Sequence, residues 1–222
     1  MNKKIILASK SGVRKKILEQ HNIACEVIPA NVDEEPLKKA MLQEKATPKI
    51  ISKNLAEVKA NKVSQKKPEK LVLGADSVID LDGELISKPT SREEAINILK
   101  KLNGKRHKLI SSVCISKNGS MIWNHSEESE LKMKNFEEKE LIKYLEKIKT
   151  ETLLAYGVYQ VEAQGLDLFE YIKGDQNSIM GFLALVHILY IIGIKAIGLT
   201  PPVGFPIRMM MLIYIWLGHT PT

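Results

Sequence analysis

The stretch Leu71–Pro89, LVLGADSVIDLDGELISKP, decides how the rest of the chain is arranged. Leu71-Val72-Leu73 is a short apolar run of the kind a buried strand shows. The run is expected to end at Gly74, where the backbone opens enough for a ligand to approach. Asp76 then stands at the carboxyl end of a strand, where ligands collect in α/β sheets. Val78, Ile79 and Leu81 begin a second extended run, and Asp82-Gly83 predicts a tight hairpin turn. The return strand closes on Lys88-Pro89. A carboxylate and an ammonium thus flank one hairpin: Asp76 suits a cation, and Lys88 suits phosphate oxygens. A plain hairpin with a solvated Asp and Lys fits the same letters.

Upstream, Lys4 to Ala8 reads as a buried strand, Ser9-Lys10-Ser11-Gly12 as a turn, and Ser11 to Gln20 as a helix through Val13, Ile17 and Leu18. A strand running into a Ser/Gly turn and a helix N-terminus favours an anion, because free N–H groups and the helix dipole face the turn. Ser9 and Ser11 add hydroxyls, and Arg14 can present a planar fork to phosphate. Simple helix capping by serine is the competing reading. Cys25 to Ile28 reads as a second strand. The acidic loop Asn31–Pro36 offers Asp33, Glu34 and Glu35 to a divalent cation, or is a solvated turn before a helix. Pro48 to Gln65 reads as a helix with Ile51, Leu55 and Val58 on one face. Lys59 and Lys62 fit its wet face.

Downstream, Thr90–Glu94 has capping-box spacing, and Ile96, Leu99 and Leu102 give a helix that stops at Asn103-Gly104. His107 to Ser116 and Met121 to Leu131 read as strands joined by a tight Asn118-Gly119 turn. His107 and His125 lack partners at ligand spacing and read as ordinary half-exposed histidines. Phe136 to Lys149 is an amphipathic helix, and Ala155 to Glu162 a loop or short strand with Gln160 and Glu162 on one face. Leu166 to Ile172 reads as a last strand. Ile179 to Ile194 is apolar apart from His187. It falls short of the roughly 20 residues a membrane span needs, so Ile179 to Ile192 reads as a core helix.

Strands interleaved with helices, with hairpins in the middle, predict an α/β fold with a mixed sheet. Of the 222 residues, 44% are hydrophobic and 27% charged, which suits a globular chain with a sizeable core. The net charge of +7 favours anionic partners. Aromatic residues make up only 5%, which argues against a stacking platform for nucleic acid. Cys25 and Cys114 lack metal-ligand spacing and read as two buried thiols in a reducing compartment. The apolar run Ile5 to Ala8 is too short for a signal peptide, so a cytoplasmic protein is expected.

Six segments in order resemble the Maf family of nucleoside triphosphate pyrophosphatases: ILASKSGVRKKIL, VDEE, LAEVKA, LGADSVIDLDGELISKP, AINILKKLNGKRHKLIS and YGVYQVEAQGLDLFEYIKGD. The resemblance covers roughly residues 4–181. It implies two lobes around a central cleft, a fold like that of inosine triphosphate pyrophosphatase, and hydrolysis between the α- and β-phosphates with Mg²⁺ or Mn²⁺. By position it makes Asp76 and Glu34 the catalytic and metal-holding carboxylates, with Ser9, Arg14, Lys59, Lys88 and Gln160 binding substrate. The implied substrates are dTTP, UTP or a modified nucleoside triphosphate. The alternative is a non-catalytic nucleotide-binding regulator of septum formation. No nucleic acid or membrane partner is expected, and a homodimer is allowed.

Val13 stands where many relatives carry arginine or a large aromatic, Gly12 replaces a frequent proline, and Ser77 a frequent threonine. The domain is expected over residues 1–197, with an apolar tail at 198–222 that has no family counterpart.

Overall fold

The computed structural model of the chain describes residues 4–20, 23–159 and 164–174. Gln160, Glu162, the apolar run from Ile179 and the tail after residue 197 lie outside the described residues. In chain order the elements are β1 (Ile5–Leu7), α1 (Gly12–Gln20), β2 (Cys25–Val27), α2 (Glu34–Gln43), α3 (Pro48–Lys66), β3 (Val72–Leu81) and β4 (Glu84–Ile86). There follow α4 (Arg92–Leu102), β5 (Arg106–Lys117), β6 (Ser120–Met133), α5 (Glu138–Glu146), α6 (Thr150–Tyr156), a 3₁₀ turn at Gln164–Leu168 and β7 (Phe169–Lys173).

Local chemistry accounts for these boundaries. Thr47 Oγ1 accepts from Ile50 N at 3.4 Å, and Pro48 opens α3. Ser91 Oγ accepts from Glu94 N at 3.1 Å at the start of α4. Glu137 and Glu140 form a capping box on α5. The hairpin turns take positive φ at both central residues, 53° and 89° at Asp82-Gly83 and 54° and 79° at Asn118-Gly119. That matches the twist of the strands they join.

The expected α/β fold with a mixed sheet is present. The strands form one sheet in the order β2-β1-β3-β5-β6-β7, with β4 also on β3. The pairs β2–β1 and β1–β3 are parallel. All the others are antiparallel. Separate apolar clusters of the described residues sit on this one sheet, and two of them flank the site. The smaller joins Ile6, Ala8, Ala30, Val63 and Val72. The larger gathers Leu99, Leu102, Leu131, Met133 and Leu141, among others, from α4, β6 and α5.

The reading of β3 needs correction. It is one continuous ten-residue strand, so Gly74 does not end it and Asp76 lies in mid-strand. Gly74 serves packing: a Cβ there would stand 2.3 Å from Ala56 O and 2.7 Å from Ala60 N. The strand needs glycine, and α3 needs alanine, for helix and sheet to approach this closely.

What opens at Asp76 is the neighbouring edge. Strand β1 pairs β3 only at Val72 and Leu73, and β4 only at Ile79 to Leu81, while β5 runs along the other edge from Val72 to Asp80. Among the described residues, none pairs as a strand with residues 74–78 on this edge.

Other corrections follow from tertiary packing. Glu34 and Glu35 begin α2 instead of lying in a loop, which fits the favourable dipole for acids in a first turn. Ala155 and Tyr156 end α6. The predicted strand from Leu166 begins at Phe169, after the 3₁₀ turn. Cys114 is buried but Cys25, on the outermost strand β2, is half-buried. His107 is 3% exposed, not half-exposed, because its position on β5 points into the larger core, where Nε2 lies 3.0 Å from Tyr159 Oη. No described helix is long and apolar enough to cross a membrane.

Candidate active site

The gap on β3 opens into a cleft of about 410 Å³. This is the size of a small-molecule pocket. Its lining comes from the turn after β1, the segment before α2 and its first turns, Lys59 of α3, the middle of β3, the end of β4 and the 155–159 segment. Ser9, Arg14, Glu34, Lys59, Asp76 and Lys88 all face it, so six of the seven residues expected from sequence come together.

Arg14 fills the gap in the sheet edge. One terminal nitrogen donates to Ser9 Oγ at 3.1 Å and to Ala75 O at 2.9 Å, and the other donates to Ser77 Oγ at 3.1 Å. The Ala75 carbonyl, which a neighbouring strand would otherwise satisfy, is thereby paired. Ser77 Oγ is in turn 3.1 Å from Ser111 Oγ, its cross-strand neighbour on β5. Ser9, the Ala75 carbonyl and Ser77 together hold the plane of the guanidinium.

Across the cleft, Lys59 bridges two acids. Its Nζ is 2.7 Å from Asp76 Oδ1 and 2.8 Å from Glu34 Oε1. Lys59 is thus a partly buried site residue and not part of a wet helix face. Lys62, three residues on, donates to Asn31 O at 2.7 Å and ties α3 to the segment that leads into α2. Asp76 is 7% exposed, and its Oδ2 is buried without a hydrogen-bond partner. Burial alone would raise the Glu34 carboxyl. The charge and hydrogen bond of Lys59, with Lys38 and Lys88 further off, outweigh it and hold Glu34 below the ordinary carboxylate range.

Lys88 Nζ donates to Ala155 O at 2.8 Å. Desolvation by the cleft walls, then the charge of Arg14, hold Lys88 below the usual lysine value, with Asp76 and Glu34 opposing. A cation held in this state gains from any anion that enters.

Sequence reasoning missed Lys38, Ser111 and Tyr156. Lys38 lies 3.9 Å from Glu34 and 2.9 Å from Glu35, and the i,i+4 spacing from Glu34 was a signal available in the letters. Ser111 carried none, because its place opposite Ser77 is set by register.

The Maf-like protein family model matches residues 4–190, and the chain belongs to the Maf family. A protein of Pelagibacter ubique (strain HTCC1062) named nucleoside triphosphate pyrophosphatase is 62% identical over 181 residues, which is 82% of this chain and 93% of that one. A protein of the same name from Caulobacter vibrioides (strain ATCC 19089 / CIP 103742 / CB 15) is 40% identical over 185 residues, 83% of this chain and 92% of the other. Among solved structures, one titled "Structure of a HAM1 protein from Coxiella burnetii" is 14% identical over 59% of this chain and 72% of that chain, with a TM-score of 0.37. So loose a superposition leaves the fold resting on the topology described above.

Proposed function

We propose that this chain is a nucleoside triphosphate pyrophosphatase: water attacks the α-phosphorus, the α–β phosphoanhydride bond breaks, and nucleoside monophosphate and pyrophosphate leave. The observation that carries the reading is the convergence of Arg14, Lys59, Lys88, Asp76 and Glu34 on one gap in the sheet. Three cations and two acids from five segments form no apolar core and suit a polyanion. The names of the relatives support the same chemistry.

Phosphoryl transfer needs positioning and charge stabilisation above all. Arg14 and Lys88 bind phosphate oxygens and offset the charge that repels an incoming nucleophile. One of the two carboxylates, Asp76 or Glu34, takes the proton from the attacking water, and the other remains for the cation. Lys59 fixes the Asp76 carboxylate through Oδ1.

The donor set fits a divalent cation of the Mg²⁺ or Mn²⁺ kind. Asp76 has a carboxylate oxygen with no partner, and Glu34 remains ionised beside it. Such a cation takes one or two carboxylates and completes its shell with phosphate and water. Asp76 or Glu34 would hold it, and it would supply further screening of the phosphate charge.

Substrates of the dTTP and UTP type, or modified nucleoside triphosphates, are the expected class. A panel of canonical and modified triphosphates with Mg²⁺ or Mn²⁺, scored separately for pyrophosphate and orthophosphate, tests the reading. Pyrophosphate release from at least one substrate is expected. Orthophosphate as the only product would overturn the cleavage position. Tight nucleotide binding without turnover would favour a non-catalytic regulator.

A further inference from the structure

The cleft has two chemistries. Its cations and acids gather around the β3 gap, whereas Val13, Ile79, Leu109 and Val158 give it an apolar wall. Two tyrosines reach this wall, and they are not equivalent. Tyr159 is 7% exposed, and its hydroxyl is 3.0 Å from His107 Nε2, so its ring belongs to the core. Tyr156 is 41% exposed. Among the described residues it is the accessible aromatic ring on the cleft.

Two contacts fix where that ring stands. Tyr156 ends α6, and the residue before it, Ala155, accepts the Lys88 ammonium through its carbonyl. The Tyr156 hydroxyl lies 3.9 Å from where a Cβ on Gly12 would sit. Gly12 is the first residue of α1, the helix that carries Arg14. Tyr156 therefore lines the cleft beside both the start of α1, which supplies Arg14, and the segment that supplies Lys88. A flat apolar face at the end of a polyanion site suits the other half of a nucleotide.

We propose that Tyr156 is a stacking subsite for the nucleobase. The proposal rests on the nucleotide reading above and adds the part of the substrate that the cations do not touch. Stacking on an aromatic ring is tolerant of base identity, because every base has a π-face. Tyr156 thus supplies affinity for the nucleoside end of all substrates. Discrimination among bases falls to groups that meet the base edge.

The test is equilibrium binding by calorimetry with Mg²⁺ present, using two probes: an α,β-methylene analogue of dTTP, which cannot be cleaved at the proposed bond, and inorganic tripolyphosphate. Tyr156→Ala is expected to weaken the analogue by about 10-fold or more and to leave tripolyphosphate within about 2-fold. Tyr156→Trp, which keeps a larger π-face, is expected to retain the analogue. Unchanged analogue binding in Tyr156→Ala overturns the stacking role alone. Equal losses for both probes also overturn it, because the tyrosine would then act on the phosphate end or on the fold. Failure of the unaltered protein to bind either probe overturns the nucleotide reading and the stacking with it.

Discussion

The Asp76 carboxylate is held from one side only: Oδ1 takes the Lys59 ammonium at 2.7 Å, while the buried Oδ2 has no hydrogen-bond partner. A buried acceptor left unpaired costs about 1–3 kcal/mol of stability. The unpaired oxygen is an available acceptor for the water or cation of the proposed reaction. Asp76→Asn should therefore lower kcat by about 10²-fold or more, while the denaturant midpoint stays close to that of the parent. Near-parental turnover would remove Asp76 from the chemistry and leave Glu34 as the working carboxylate.

Gly74 gives the opposite expectation. A methyl group there meets the backbone of Ala56 and Ala60 on α3. Gly74→Ala should destabilise the fold by about 1–3 kcal/mol, read as a shift in urea midpoint. It should also reduce activity, because Lys59 rides on the same helix. Full stability and full activity together would show that α3 can retreat without disturbing the Lys59 bridge.

Arg92 binds three acceptors at once: Leu145 O at 2.7 Å, Ile148 O at 2.8 Å and Thr150 Oγ1 at 2.9 Å. A cation in the first turn of α4 works against that helix's dipole, but here it meets the carbonyls at the end of α5. Arg92→Lys cannot reproduce the fork. A loss of about 2 kcal/mol or more is expected, with the substrate KM rising as α6 and the 155–159 wall loosen. An unchanged unfolding curve would refute this.

Burial of His107 lowers its pKa to about 4 from the ordinary 6.5. The folded state therefore resists protonation more than the unfolded chain does. Its contribution to stability is fully present above about pH 6.5, is lost as pH falls towards about 4, and loses nothing further below that. A neutral replacement such as His107→Gln should flatten the fall in stability between pH 6.5 and 4, by on the order of 3 kcal/mol. Parallel stability curves for the two proteins would show that His107 titrates normally.

Much of this could be read from the letters, for identifiable reasons. Turn chemistry placed the hairpins at Asp82-Gly83 and Asn118-Gly119, since only certain residues tolerate positive φ. Periodicity placed α3 and α4. It could not show that Gly74 lies under α3, because close backbone approach is a tertiary fact and a glycine in a strand signals either packing or an opening. Nor could it tell Lys59 from Lys62: both lie on one side of a helix, and only the fold shows that one reaches Asp76 while the other holds Asn31. The Glu34 reading suffered in the same way, since an acidic turn and an acidic first helical turn have one composition.

The placement of Arg14 has a consequence for how the molecule meets its own copies. An open strand edge inside a sheet invites any extended chain to complete it, which is the usual beginning of aggregation. Here the Ala75 carbonyl is occupied by a guanidinium, and the approach is lined with charge. A second strand would have to displace that cation and desolvate its neighbours. The Arg14 side chain thus also closes this edge against a second strand, and Arg14→Ala is expected to lower the yield of soluble protein.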